Sequence, residues 1–131
     1  MKDKLNWTLR NLHLIISLSI VVPTGIIYGA SPTTLLPQHL DIQVTTIDLS
    51  NFLRAVMCLY LGVSSVWVLG ILKNEYWKVA TQLNILFMLT LCVGRLASMA
   101  FDGLPTGGYI FGVTAEAILG IYAIYQLKRY A

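Results

Sequence analysis

WKVATQLNILFMLTLCVGRLASMAF, residues 77–101, decides the architecture. These 25 residues, at about 1.5 Å of helical rise each, cross the roughly 30 Å hydrocarbon core of a bilayer. Past Lys78, the only full charge in the stretch is Arg95. A charge at that depth is costly unless it is paired or hydrated, so it marks what the helix is built around. Arg95 lies about 9 Å below Phe101 by helical rise. Asp102 shares its face, because seven residues make nearly two turns. Extended along the helix, that face reads Thr81, Asn84, Met88, Cys92, Arg95, Ser98 and Asp102, the most polar stripe in the chain.

Three further apolar runs flank this one: Leu12 to Ala30, Phe52 to Leu72 and Tyr109 to Leu127. Each is long enough to traverse a membrane. The whole chain of 131 residues is 56% hydrophobic and 11% charged, with a mean hydropathy of +0.71. A soluble domain carries roughly 25% charged residues, so a membrane class follows and no separate catalytic domain is left over. The expected fold is all-α, an integral membrane up-down four-helix bundle forming one four-span domain over residues 1–131. Short connections between the second and third and the third and fourth runs make those helices antiparallel neighbours. The first connection has about twenty residues and opens Ser31-Pro32, a helix start with Pro at its first position. A short helix or lid is expected there, with Asp41 to Asp48 lying on the membrane surface or over the mouth of the bundle.

Lys2 and Lys4 precede the first run as in a signal peptide, but the run continues to about Ala30 and Tyr28 occupies the minus-three position of a cut there. An uncleaved span is expected. Basic residues set the direction. Lys2, Lys4, Arg10, Lys73, Lys78, Lys128 and Arg129 gather at one side, whereas 31–51 and 102–108 contain no Lys or Arg. Both termini are therefore expected in the cytoplasm. Trp7, Tyr76, Trp77, Tyr125 and Tyr130 would form the inner aromatic belt, with Tyr28 and Tyr109 in the outer one. The net charge of +3 does not point to nucleic acid, since the basic residues sit at helix ends and form no stripe interleaved with aromatics.

Arg54 and Glu116 join Arg95 as charges inside apolar runs, all in the outer half. Gly112 and Gly120 flank Glu116 by one turn on each side, allowing a neighbouring backbone to come close and turning the acid into a helix contact. The second run offers Arg54, Cys58, Leu61 and Ser65 on one face. If these faces converge, Arg95 and Glu116 can form a charge-assisted pair, monodentate or bidentate, with Arg54 and Asp102 nearer the rim. Cys58 and Cys92 fall at similar depths. His13, without a partner at ligand spacing, reads as an interfacial residue, and no metal or cofactor is expected. Pro23 should kink the first span, and Gln82 and Asn84 are candidates for bonds across helices.

Asn51-Phe52-Leu53-Arg54-Ala55, Gly94-Arg95-Leu96-Ala97-Ser98, Asp102-Gly103-Leu104-Pro105 and Glu116 together resemble the bacterial four-helix membrane family catalogued as domain of unknown function 4345, itself DoxX-like in general style. The resemblance covers nearly the whole chain. It implies the four-span fold and the polar cluster, and it supplies no activity; the expected location is a bacterial cytoplasmic (inner) membrane. Val56, Met57 and Cys58 depart from the family's small residues after Arg-Ala.

Three functions stay open. The cluster of Arg54, Arg95, Asp102 and Glu116 can tie four helices in register, in an accessory protein with a membrane-protein partner or a second copy, or it can hold membrane lipid or a lipid-like or anionic small ligand. Glu116 could instead be the acid or base of an isomerase-like enzyme on a lipid-soluble substrate, with the arginines stabilising developing negative charge; that requires a cavity beside it open to lipid. A proton or ion path would need the stripe from Thr81 to Asp102 to run unbroken, and Met88 and Leu91 interrupt it.

Overall fold

The computed structural model describes residues 1–131. The chain forms α1 (Lys2–Gly29), α2 (Pro32–His39), α3 (Ile47–Leu72), α4 (Trp77–Asp102) and α5 (Gly107–Tyr130), with a single 3-10 turn at Asn74–Tyr76 between α3 and α4. Four of these, α2 excepted, are long and apolar enough to cross a membrane. Both termini and the 3-10 turn share one end of the bundle, the terminal end. The connections around α2 and between α4 and α5 occupy the other, the lid end.

The helix boundaries follow from local chemistry. Thr46 caps α3, its hydroxyl accepting the Leu49 N–H at 3.1 Å. Ser31 and Pro32 start α2 as expected, although the Ser31 side chain makes no capping bond; its carbonyl accepts the Thr34 and Leu35 N–H groups instead. Gly103, at φ 98°, is the one positive-φ residue and ends α4, a conformation that costs glycine little. Helix α1 begins about ten residues before the apolar run does. That extension is held where Arg10 donates through Nη1 to the Asn74 side chain and lies 4.4 Å over the Trp77 ring.

α1 packs most extensively on α3, and α4 on α5, so the bundle is two antiparallel pairs laid side by side. The seam between α1 and α5 is much thinner than either pairing. Leu14, Val21, Tyr28, Leu53, Tyr60, Trp67, Trp77, Met88 and Leu119 form the core. Large apolar residues such as Leu59, Leu86, Val93, Ile118 and Ile121 face outward, the surface a lipid phase demands.

At the terminal end the two pairs are bonded to each other by buried polar groups. His13 Nε2 meets Thr81 Oγ1 at 3.0 Å, Asn84 donates to Ser17 Oγ at 2.9 Å, and Gln126 donates to the Leu9 carbonyl at 2.5 Å. His13 is fully buried between the edges of Trp77 and Tyr122, which corrects its reading as an interfacial residue. Trp77 is likewise a core residue rather than part of an aromatic belt, while Trp7, Tyr76 and Tyr125 remain exposed. Asn84 makes its bond across helices and Gln82 faces outward. The inward face of α3 is Leu53, Tyr60, Ser64 and Trp67, not the expected Arg54–Cys58–Ser65 face. Cys58 is accordingly exposed and Cys92 buried. In a span apolar all round, hydropathy contrast does not mark the inner face.

Gly70 sits where α3 meets the start of α4, and a methyl there would run into the Ala80 side chain; at Gly62 a methyl meets nothing. Gly70→Ala should therefore cost about 1–3 kcal/mol through overpacking. Gly62→Ala should hold or raise stability, and thermal unfolding of the detergent-solubilised protein compares the two.

Candidate functional site at the lid end

Arg95 and Glu116 face each other across the α4–α5 contact and form the structure's one salt bridge. The guanidinium Nε donates to both carboxylate oxygens, at 2.9 and 3.1 Å. One donor thus forks to two acceptors, in place of the two parallel bonds of an expected bidentate pair. The side chains are 20% and 10% exposed, so most water is removed from both charges and each depends on the other. Glycines flanking Glu116 allow this. Arg95 Nε lies 4.0 Å from where a Cβ on Gly112 would be, and a side chain at Gly120 would collide with Leu89.

The other two predicted charges are placed apart from this pair. Arg54 reaches back along the α1–α3 contact, and its Nη1 donates to the carbonyls of Gly29 at 2.9 Å and Ala30 at 3.4 Å. Those carbonyls end α1 and lack partners in the helix, so the guanidinium closes the helix C-terminus. Asp102 is exposed and accepts from Ser98 Oγ at 2.9 Å, one turn back on its own helix. The expected four-charge cluster is thus corrected to one ion pair, one helix cap and one rim carboxylate. Both arginines reach the polar atoms nearest their own helix pairing.

Three tyrosines surround the ion pair. The Arg95 guanidinium lies 4.8 Å over the Tyr109 ring. Tyr28 neighbours Arg95, Tyr60 and Tyr109, and its ring meets the Tyr60 ring edge-on at 5.6 Å. Tyr60 in turn packs edge-on against Phe87 at 5.1 Å. Tyr28 and Tyr109 thus belong to the site rather than to an outer belt. Their position near the ends of apolar runs resembled that of membrane anchors. Tyr60 did carry a usable signal, because a hydroxyl two turns below Phe52 lies too deep to reach the interface.

Two cavities meet at this group. The first, of about 270 Å³, lies along the α1–α5 seam and is walled by Ile20, Thr24, Phe87, Leu91, Ala115 and Leu119, with Arg95 and Glu116 on its side and His39 and Leu40 above. Pro23 adjoins it on α1, and Thr24 Oγ1 donates to the Ile20 carbonyl at 2.7 Å within the same turn. The second, of about 540 Å³ and more open, lies between α3 and α4 and is walled by Phe52, Val56, Gly94 and Ser98 under Ile42 and Pro105. Tyr28, Tyr60, Leu91, Arg95 and Tyr109 border both. The chain from Leu40 to Ile42 roofs the group, with Leu40 against Gly108 and the Asp41 N–H at 3.4 Å from Thr106 Oγ1. Of the stretch 41–48, Ile42 borders the second cavity and residues 45–48 are exposed.

Arg95→Gln and Glu116→Gln should each cost about 1.5–3 kcal/mol, the range of a hydrogen bond to a charged group. The double variant should cost clearly less than the sum. A thermodynamic cycle by chemical unfolding in micelles measures the coupling, and strict additivity would show the pair to be idle.

No curated protein and no solved structure matches the chain. A family model described as domain of unknown function (DUF4345) matches residues 9–127, a stretch holding all of α2, α3 and α4, most of α1 and α5, both arginines, the ion pair and its three tyrosines. With so much of its length matched, the chain belongs to the DUF4345 family.

Proposed function

We propose that this small membrane protein binds a lipid-soluble molecule at its lid end. The polar atom of that molecule would sit at Arg95 and its apolar part in the cavity between α1 and α5. One observation carries the reading: the only ion pair of the bundle forms part of the wall of an otherwise mainly apolar cavity. Ligand sites have this character, apolar walls with a few polar groups that fix orientation. A pair serving only to tie α4 to α5 needs no cavity beside it. Arg95 commits its Nε to Glu116 and meets the Tyr28 hydroxyl as its other polar neighbour, so no second carboxylate competes with a ligand for its Nη donors.

A catalytic use of the same cavity has narrower support. Glu116 borders it, as an acid or base would have to, but both carboxylate oxygens already accept from Arg95. Arg54, occupied with the end of α1, would not assist. A proton path has least support, because buried Met88 fills the polar stripe between Asn84 and Cys92. For orientation we propose a bacterial cytoplasmic membrane with both termini in the cytoplasm, on the strength of the basic residues at the terminal end.

Mass spectrometry of extracts from the purified protein tests the binding reading. Wild type should retain a lipid-soluble compound that Arg95→Gln loses, with both variants folded by circular dichroism. Loss of stability with no compound in either would leave the pair a structural tie. Thiol labelling in intact cells tests the orientation: a cysteine at Thr106, introduced into a chain with Cys58 replaced by Ser, should react with an impermeant reagent, and one at Ala131 should not.

A further inference from the structure

The charge balance of the lid end says what kind of polar head the cavities accept. Apart from His39 on the rim, whose Nδ1–H donates to the Leu35 carbonyl at 2.8 Å, Arg95 and Glu116 are the only cationic and carboxylate side chains lining either cavity. They neutralise one another at 2.9 Å. A second anion at the Nη groups would be attracted by the guanidinium and repelled by the carboxylate directly behind it. With both charges largely shielded from water, that repulsion is not screened away. Thr24, Thr90 and Ser98 give their hydroxyl protons to the Ile20 and Leu86 carbonyls and to Asp102, so the remaining polar groups are the hydroxyls of Tyr28, Tyr60 and Tyr109, neutral donors that suit a neutral acceptor.

Shape adds a second constraint. The cavity on the α1–α5 seam, at about 270 Å³, falls just below the roughly 300–1,000 Å³ of small-molecule sites. The two cavities share Tyr28, Tyr60, Leu91, Arg95 and Tyr109, so a molecule with its head at Arg95 can lay apolar substituents into either seam.

We infer that the ligand is an uncharged amphiphile whose carbonyl oxygen accepts from Arg95 and whose apolar chains lie in the two seams, in preference to any phosphate- or carboxylate-bearing lipid. This rests on the binding reading above and names its ligand class. Two sources share that chemistry, an ester carbonyl of an uncharged acylglycerol and a ring carbonyl of an alkylated quinone.

The full chain in detergent is titrated with a dioctanoylglycerol, an alkyl benzoquinone, a fatty acid of matching length and a dioctanoyl phosphatidic acid, and binding is read as a concentration-dependent rise in melting temperature. One neutral compound should bind at least about tenfold more tightly than either anion, and whichever does so identifies the source. In Glu116→Gln the unopposed guanidinium should reverse the order in favour of the anions. An anion preferred by wild type overturns the ligand class and leaves the binding site standing. Absence of binding by all four overturns both. Should Glu116→Gln not fold, the wild-type order decides alone, and Ala115→Phe, which fills the α1–α5 cavity without removing the pair, should abolish the shift.

Discussion

A guanidinium held among four apolar helices must find an opposite charge or water, and at Arg95 the carboxylate of Glu116 supplies it. Much of the lid end is arranged around that requirement. Glycines on α5 leave room for the two side chains, α4 and α5 form the most extensive contact together with α1 and α3, and Tyr109 covers the face of the guanidinium. Removing two charges from water is expensive, so the pairing is best regarded as a condition the fold has to meet and not as surplus stability.

Arg54 meets the same requirement by a different route. It finds no carboxylate and instead takes the free carbonyls at the end of α1, which carry the negative end of that helix's dipole. Each arginine thereby ties one antiparallel pair at the lid end, Arg54 joining α3 to α1 and Arg95 joining α4 to α5. Ties between the pairs are found at the other end, through His13, Asn84 and Gln126. The two cavities fall on the seams that neither arginine crosses.

The number of spans and the short helix after Ser31 were legible because length, apolarity and proline position are properties of a local stretch, whereas α1 and α3 begin ten and five residues ahead of their apolar runs. The Arg95–Glu116 pairing was legible too, since helical rise placed both at similar depth and the glycines beside Glu116 marked a close contact. What could not be read was rotation about each helix axis. Ser65 and Cys58 sit in a helix apolar on every side, and no hydropathy contrast distinguishes Arg54's face from that of Tyr60. Polar atoms of the backbone were equally invisible, which is why Arg54 was grouped with acids when its partners are the Gly29 and Ala30 carbonyls. Tyr28 and Trp77 illustrate a related limit. An aromatic residue near the end of a span belongs equally well to an interfacial belt or to a packed core until the neighbouring helices are known.

The uneven distribution of bonds along α1 has a mechanical consequence. At its amino-terminal portion the helix is fastened to α4 and α5 by buried side-chain hydrogen bonds, whereas beyond Pro23 its polar neighbours across the seam are those of Tyr28, namely the hydroxyl of Tyr109 and the guanidinium of Arg95. Parting the two there disturbs the Tyr28 hydroxyl and otherwise mainly apolar packing, which hydrocarbon tails can replace at little loss. The bundle therefore resembles a clothes-peg, cross-bonded between its two pairs at the sprung end and thinly joined at its jaws.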